Sequence, residues 1–301
     1  KTRIQRITEM ISRYREPRWA TPGTWSFART VAMALLGFVM LTPFVWMLLA
    51  SFKPLPEVER LDPVPRVWQP QNYAAVLGKA PDERTQKVLP IHFTRWYFNS
   101  LFIASWVTFL HCLTSAMAAY AFSRLTWPGR DRLFLMYLAT LMVPEVVTMI
   151  PNYALMVKLH LIDTYAGLII PAAFSAFGTF MLRQFMLSIP RSFDEAAEMD
   201  GAGPWQIFWD VILPLARPGL MTLAILTFLG NFMSFFWPLI LIKSEQLRTL
   251  PVGMLFFDSS YGRQTNYIMA ATVMNILPLI AIYLAGQKFL VKGIQLGGIK
   301  G

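Results

Sequence analysis

The sequence predicts an all-α, polytopic membrane protein with six transmembrane helices and a long loop on its cytoplasmic face. Three observations carry that class. The 301 residues are 55% hydrophobic and only 15% charged, against roughly 45–50% and about 25% in ordinary soluble domains. Six apolar stretches reach the length of about 20 residues that a helix needs to cross a hydrocarbon core about 30 Å thick. The charged residues gather between those stretches. Shorter, alternating segments, as in a β-barrel, are missing, and helices satisfy their own backbone in lipid.

The elements follow in order. A basic lead forms an N-terminal segment (1–29). The first span, Thr30–Ala50, is too long for the apolar part of a signal peptide and no small-x-small cleavage site follows, so it reads as a retained anchor. A Pro-rich connection (51–96) with charges of both signs reads as a partly ordered external cap. The other spans are Asn99–Phe122, Leu133–Tyr153, Tyr165–Met186, Gly219–Ile242 and Tyr267–Val291, which makes 30–291 one six-helix domain with a short tail (292–301). Pro43, Pro144, Pro171, Pro238 and Pro278 are expected to kink these spans. Sixteen of the 27 basic residues fall on the side of the two termini and eleven on the other. That bias places both termini in the cytoplasm, and it accounts for much of the net charge of +10 without a nucleic-acid partner. Cys112, the single cysteine, excludes an intrachain disulfide and thiolate-rich metal sites.

The loop 187–218 is long for a connection between membrane helices. Ser192 with Glu195 forms a capping box, and Asp194, Glu195 and Glu198 suit the positive end of a helix dipole. Phe193, Ala196, Ala197 and Asp200 are spaced to share one helical face. Gly201 and Gly203 end that helix, Pro204 opens a second, and Trp205, Phe208, Trp209 and Ile212 are spaced to share its face. The element reads either as an interfacial helix among lipid headgroups or as a docking surface, for which the small alanine pair allows close approach.

Glu195-Ala196-Ala197 with Gly201, followed by Ile212-Leu213-Pro214, resembles the E-A-A loop of ABC-importer permeases. Ser51-Phe52-Lys53-Pro54, Asn72-Tyr73 with Val76-Leu77, Asn99-Ser100-Leu101, Trp237-Pro238-Leu239 and Gly297-Gly298-Ile299-Lys300-Gly301 resemble the carbohydrate-type members. The resemblance implies a binding-protein-dependent permease subunit in the bacterial inner membrane, forming half of a translocation pathway. It implies as partners a second permease, two copies of a cytoplasmic ATPase and an extracytoplasmic solute-binding protein. Glu195, Ala196, Ala197, Asp200, Gly201, Ile212, Leu213 and Pro214 become ATPase-coupling residues. ATP and Mg are then used by the ATPase, and this chain binds no cofactor or metal itself.

Glu145 is the one acid well inside a span, where polar groups are expensive and mark pathways or partner contacts. Asn152 lies at the outer end of the same span. Asn231, Ser234 and Trp237 are spaced at i, i+3, i+6, which puts hydrogen-bonding groups beside an aromatic face, as a sugar requires; helix packing is the other reading, for these and for Asn275. His111 reads as a packing residue. A self-contained secondary carrier or channel is the competing class, and it would favour inverted repeats and more intramembrane carboxylates. No H-E-x-x-H or G-x-S-x-G suggests an intramembrane enzyme, and no G-x-x-x-x-G-K-[ST] suggests ATP hydrolysis by the chain itself.

Overall fold

A computed structural model describes residues 24–83, 85–259 and 264–298. The principal helices are α1 (Thr24–Ala50), α2 (Phe93–Ser123), α3 (Arg130–Ala139), α4 (Glu145–Lys158), α5 (Tyr165–Ile169), α6 (Ala176–Leu187), α7 (Ser192–Met199), α8 (Pro204–Leu215), α9 (Arg217–Phe232), α10 (Phe236–Leu241) and α11 (Thr265–Gly298). Helix α2 is the centre. It packs against α6 on one side and α9 on the other; α9 packs on α11, and α11 on α1. Small buried residues on α2 (Ala104, Ser115, Ala116, Ala119) let neighbouring backbones come close. At Gly178 of α6 the approach is so tight that a Cβ would sit 2.5 Å from Ser115 Oγ. Helix α1 is exposed on almost every face, Phe38 and Val39 alike, as suits a helix whose solvent is lipid.

Among the described residues, three helices are long and apolar enough to cross a membrane alone (Phe27–Ala50, Phe93–Ser123 and Thr265–Gln287), or up to six if each bent pair is one span. The third, fourth and fifth predicted spans therefore need correction. Leu133–Tyr153 is two helices, α3 and α4, bent by 98°, because Val143 precedes Pro144 and is held extended. Tyr165–Met186 is α5 and α6, bent by 42°, with Phe174 and Ser175 both extended. Gly219–Ile242 divides into α9 and α10 with non-helical residues between them, and the third bent pair is instead α8 with α9, at 75°. The second span starts six residues earlier than predicted, at Phe93, which shortens the cap. The basic lead up to residue 23 and the last three residues lie outside the described residues, and α11 runs through the first part of the predicted tail.

The cap is far more ordered than expected. Asn72 donates from Nδ2 to the carbonyls of Ser51 and Lys53, both at 2.9 Å, while Ser51 Oγ and Tyr73 Oη lie 2.7 Å apart. Lys53 is fully buried, its Nζ donating to the Asp62 carbonyl and lying 4.1 Å from the Trp46 ring centroid. Burial lowers its ammonium from the usual lysine value, with Asp62 and Glu57 opposing. An apolar cluster including Val76, Ile91, Trp96, Phe232, Leu250, Phe257 and Tyr267 joins the cap to the ends of α2, α9 and α11.

Candidate functional site

Two regions hold the residues singled out from the sequence. The first is an open cavity of about 530 Å³ between α2, α4, the α5–α6 turn and the α9–α10 break, within the range of roughly 300–1,000 Å³ for small-molecule sites. Its polar lining is Ser100, Glu145, Asn152, Asn231, Ser234 and Thr249, and Phe235, Phe236 and Trp237 give it aromatic faces. The chain breaks create it. Glu145 opens α4 immediately after the Pro144 break, so its backbone N–H has no helical acceptor and its side chain is exposed at the cavity wall. Ser234 lies in the break itself, so Asn231, Ser234 and Trp237 meet at one cavity through a non-helical turn, which corrects the helical spacing expected of them. Trp237 is oriented by its Nε1–H donating to the Gly167 carbonyl at 3.3 Å, and Asn231 Nδ2 donates to the Thr227 carbonyl at 2.9 Å. Asn275, on α11, is not among the lining residues; its buried Oδ1 has no hydrogen-bond partner.

Sequence reasoning missed Ser100 and Thr249 as lining groups. Ser100 Oγ accepts from the Leu250 N–H at 2.7 Å, and Thr249 Oγ1 is buried with no partner. Beside them Asn99 donates to the carbonyls of Gln246 and Arg248, both at 2.9 Å, and accepts from Tyr165 Oη at 2.8 Å. The signal for this was the Asn99-Ser100 pair at the head of an apolar helix. His111 Nδ1 pairs with the Ala172 carbonyl at 3.1 Å, which fits packing, though its Nε2 is buried without a partner. No cluster of His, Cys, Asp or Glu suited to a metal ion occurs among the described residues.

The second region is the loop between α6 and α9. Here α7 spans Ser192–Met199 and α8 begins with Pro204, with Gly203 N–H donating to Gln206 Oε1 at 3.0 Å. Gly201 has φ +85°, the left-handed region that a Cβ disfavours. The Ser192 cap is corrected: Arg191 precedes α7 with helical backbone angles, and no side chain caps the helix. The aromatic face is also corrected. Residues Ile207–Ile212 form a π-helical turn that changes the register, so Phe208 and Ile212 are fully buried while Trp205 and Trp209 are exposed. Phe193, Glu195, Ala196, Asp200 and Gly201 are exposed and Ala197 half-buried, so α7 offers a free face; Leu213 is half-buried and Pro214 exposed.

Residues 112–295 match the family model described as binding-protein-dependent transport system inner membrane component. The chain belongs to that family. It is a multi-pass membrane protein and an inner-membrane permease component of such a system. It is 34% identical over 281 residues to the arabinooligosaccharides transport system permease protein AraQ of Bacillus subtilis, covering 92% of this chain and 96% of the relative. It is 31% identical over 269 residues to the sn-glycerol-3-phosphate transport system permease protein UgpE of Rhizobium meliloti, covering 87% and 93%. Among solved structures, a chain of a bacterial ABC transporter involved in the import of the acidic polysaccharide alginate aligns with TM-score 0.74 at 25% identity, covering 96% of this chain and 98% of that one. The permease fold therefore extends over the described cap, the bent spans and the loop.

Proposed function

We propose that this permease carries a sugar or sugar-like solute, and that α7 couples it to a cytoplasmic ATPase. The observation that carries the first part is the cavity, in which six hydrogen-bonding side chains and three aromatic rings converge between helices. Sugar hydroxyls need the former and sugar ring faces the latter. The transport systems named for two of the relatives, arabinooligosaccharides and sn-glycerol-3-phosphate, support a hydroxyl-rich solute. Glu145, Asn152, Asn231, Ser234 and Trp237 are assigned to the solute path. Asn275 is assigned to helix packing.

In this reading a second permease completes the path and an extracytoplasmic binding protein docks at the cap end. Two ATPase copies, which bind the ATP and Mg, grip the loop of each permease. Both termini and the loop face the cytoplasm, in keeping with the basic bias of that side. The exposed face of α7, with Glu195 and Ala196, and the Asp200–Gly201 turn enter the ATPase with exposed Pro214 beside them; Ala197, Ile212 and Leu213 seat the loop on the bundle. The test is purification of the chain co-expressed with its neighbouring transport genes. A complex with a second permease and two ATPase copies is expected. A solitary chain that transports solute in vesicles without nucleotide, as a secondary carrier or channel would, overturns the reading.

A further inference from the structure

One guanidinium ties α7 to the ends of two membrane helices. Arg124 follows the last turn of α2, and its side chain is 5% exposed. Its Nη2 donates to the carbonyls of Met186 and Ile189 at 2.6 and 2.9 Å, the end of α6 and the residue leading away from it. Its Nη1 lies 3.0 Å from Asp194 Oδ2 in the first turn of α7. The Asp194 side chain is 14% exposed, turned toward the bundle and away from the exposed face of α7. Arg183 returns the arrangement: from α6 its Nε donates to the Phe122 carbonyl of α2 at 3.1 Å. Each of the two helices thus carries an arginine that caps the other's terminal carbonyls, and Arg124 holds α7 as well. A planar guanidinium serves several acceptors in fixed directions, which an ammonium on a flexible stem does not. On the far side of the loop, Tyr120 Oη donates to the Pro204 carbonyl at 2.8 Å.

We propose that Arg124 and Asp194 form a positioning clamp that makes α7 move as one unit with α2 and α6. A displacement of the loop is then delivered along α2 to the cavity wall at Ser100 and Ile103. At 1.5 Å per residue, Ser100 lies about 36 Å along the helix from Arg124. The proposal rests on the ATPase-coupling reading of α7 and adds to it a transmission role for two residues outside the docking face. Neither residue belongs to the E-A-A motif.

The test uses the full complex in lipid nanodiscs and reads two quantities: ATPase retained on purification, and the ratio of ATP hydrolysis with solute-loaded binding protein to hydrolysis without it. Asp194→Asn keeps the shape and removes the charge. It is expected to lower the ratio about fivefold or more, the scale of a typical coupling free energy, with the ATPase still bound. Asp194→Glu is expected to retain most of the ratio. Arg124→Met combined with Asp194→Asn is expected to do no worse than the poorer single variant, since the two act as a pair. If Arg124→Met does not fold, the two Asp194 variants decide. An unchanged ratio in Asp194→Asn overturns the clamp. So does loss of the ATPase in that variant, which would make Asp194 a docking residue. A wild-type complex that holds no ATPase would instead reject the coupling reading itself.

Discussion

The two ends of the molecule are held by different chemistry. At the cap end, buried side-chain amides and hydroxyls clip backbone groups to helices: Asn72 on the Ser51 and Lys53 carbonyls, Asn99 on those of Gln246 and Arg248, Ser100 on the Leu250 N–H. At the loop end, a helix of eight residues rests on an apolar cluster with Phe208 and Ile212 and on the Arg124–Asp194 pair, with most of its own surface exposed. Short buried hydrogen bonds with several acceptors resist any shift, since each group left unpaired in a buried site costs about 1–3 kcal/mol. At the loop end the Arg124 contacts join α7 to α2 and α6 as one unit, and the outer face of α7 stays exposed. The difference fits a rigid platform at one end and a movable contact at the other.

The largest expected effect is on the platform. Asn99→Leu removes two donated bonds and the acceptor of Tyr165 Oη; the Gln246 carbonyl keeps Arg95 Nε, so the Arg248 carbonyl and Tyr165 Oη are the groups left without that partner. We expect a loss of about 2 kcal/mol or more, read as reduced thermal stability in detergent and lower yield of monodisperse protein. A variant as stable as wild type would break the contrast between the ends. Next is the loop. Gly201→Val forces a Cβ into positive φ at a cost of about 1–2 kcal/mol. Nothing lies within 4 Å of that Cβ position, so the penalty is backbone strain alone. The protein is expected to insert normally while solute-stimulated ATP hydrolysis falls severalfold; normal coupling would reject a role for that turn. Glu145→Gln tests the cavity: an exposed side chain should leave unfolding unchanged while solute uptake drops.

The smallest effect concerns Asp163, which ties the α4–α5 turn to the segment after α10. Its Oδ1 accepts from the N–H groups of Lys243 and Ser244 and from Ser244 Oγ, each at 3.0 Å. Those bonds, the Ser244 N–H first, hold its carboxyl below the usual range. A depressed value in the folded state means stability that is fully present above the ordinary aspartate value of about 3.9 and lost only as the pH falls through the lower folded value. The stability difference between wild type and Asp163→Asn is therefore expected to be constant from pH 7 to 5 and to shrink below pH 4. A difference that grew on acidification would contradict the clip.

Much of this was legible in the sequence because apolar length and turn residues act locally. Gly201 and Pro204 punctuate the loop as read; three of the predicted spans appear as single long apolar helices, and the other three regions hold bent or interrupted helices. The breaks at Val143 and Phe174–Ser175 were not legible as sharp bends, because how far a kinked helix turns depends on which neighbours satisfy its freed backbone groups. Here His111 and Thr114 of α2 meet the carbonyls of Ala172 and Ala173. The π-helical turn hid the split between buried Phe208 and exposed Trp209. Arg124 read as an orientation charge. Its partners lie more than 60 residues away, and no local rule connects them.

The central claim is that this chain moves solute only as part of an ATP-driven complex whose force enters at α7. Uptake of radiolabelled oligosaccharide into proteoliposomes, with ATP inside and the binding protein outside, tests it most directly. The account predicts ATP-dependent uptake by the complete complex, near-background uptake by the chain alone, and a severalfold loss in the complex carrying Gly201→Val. Uptake by the chain alone at the same rate, with no nucleotide present, would contradict it.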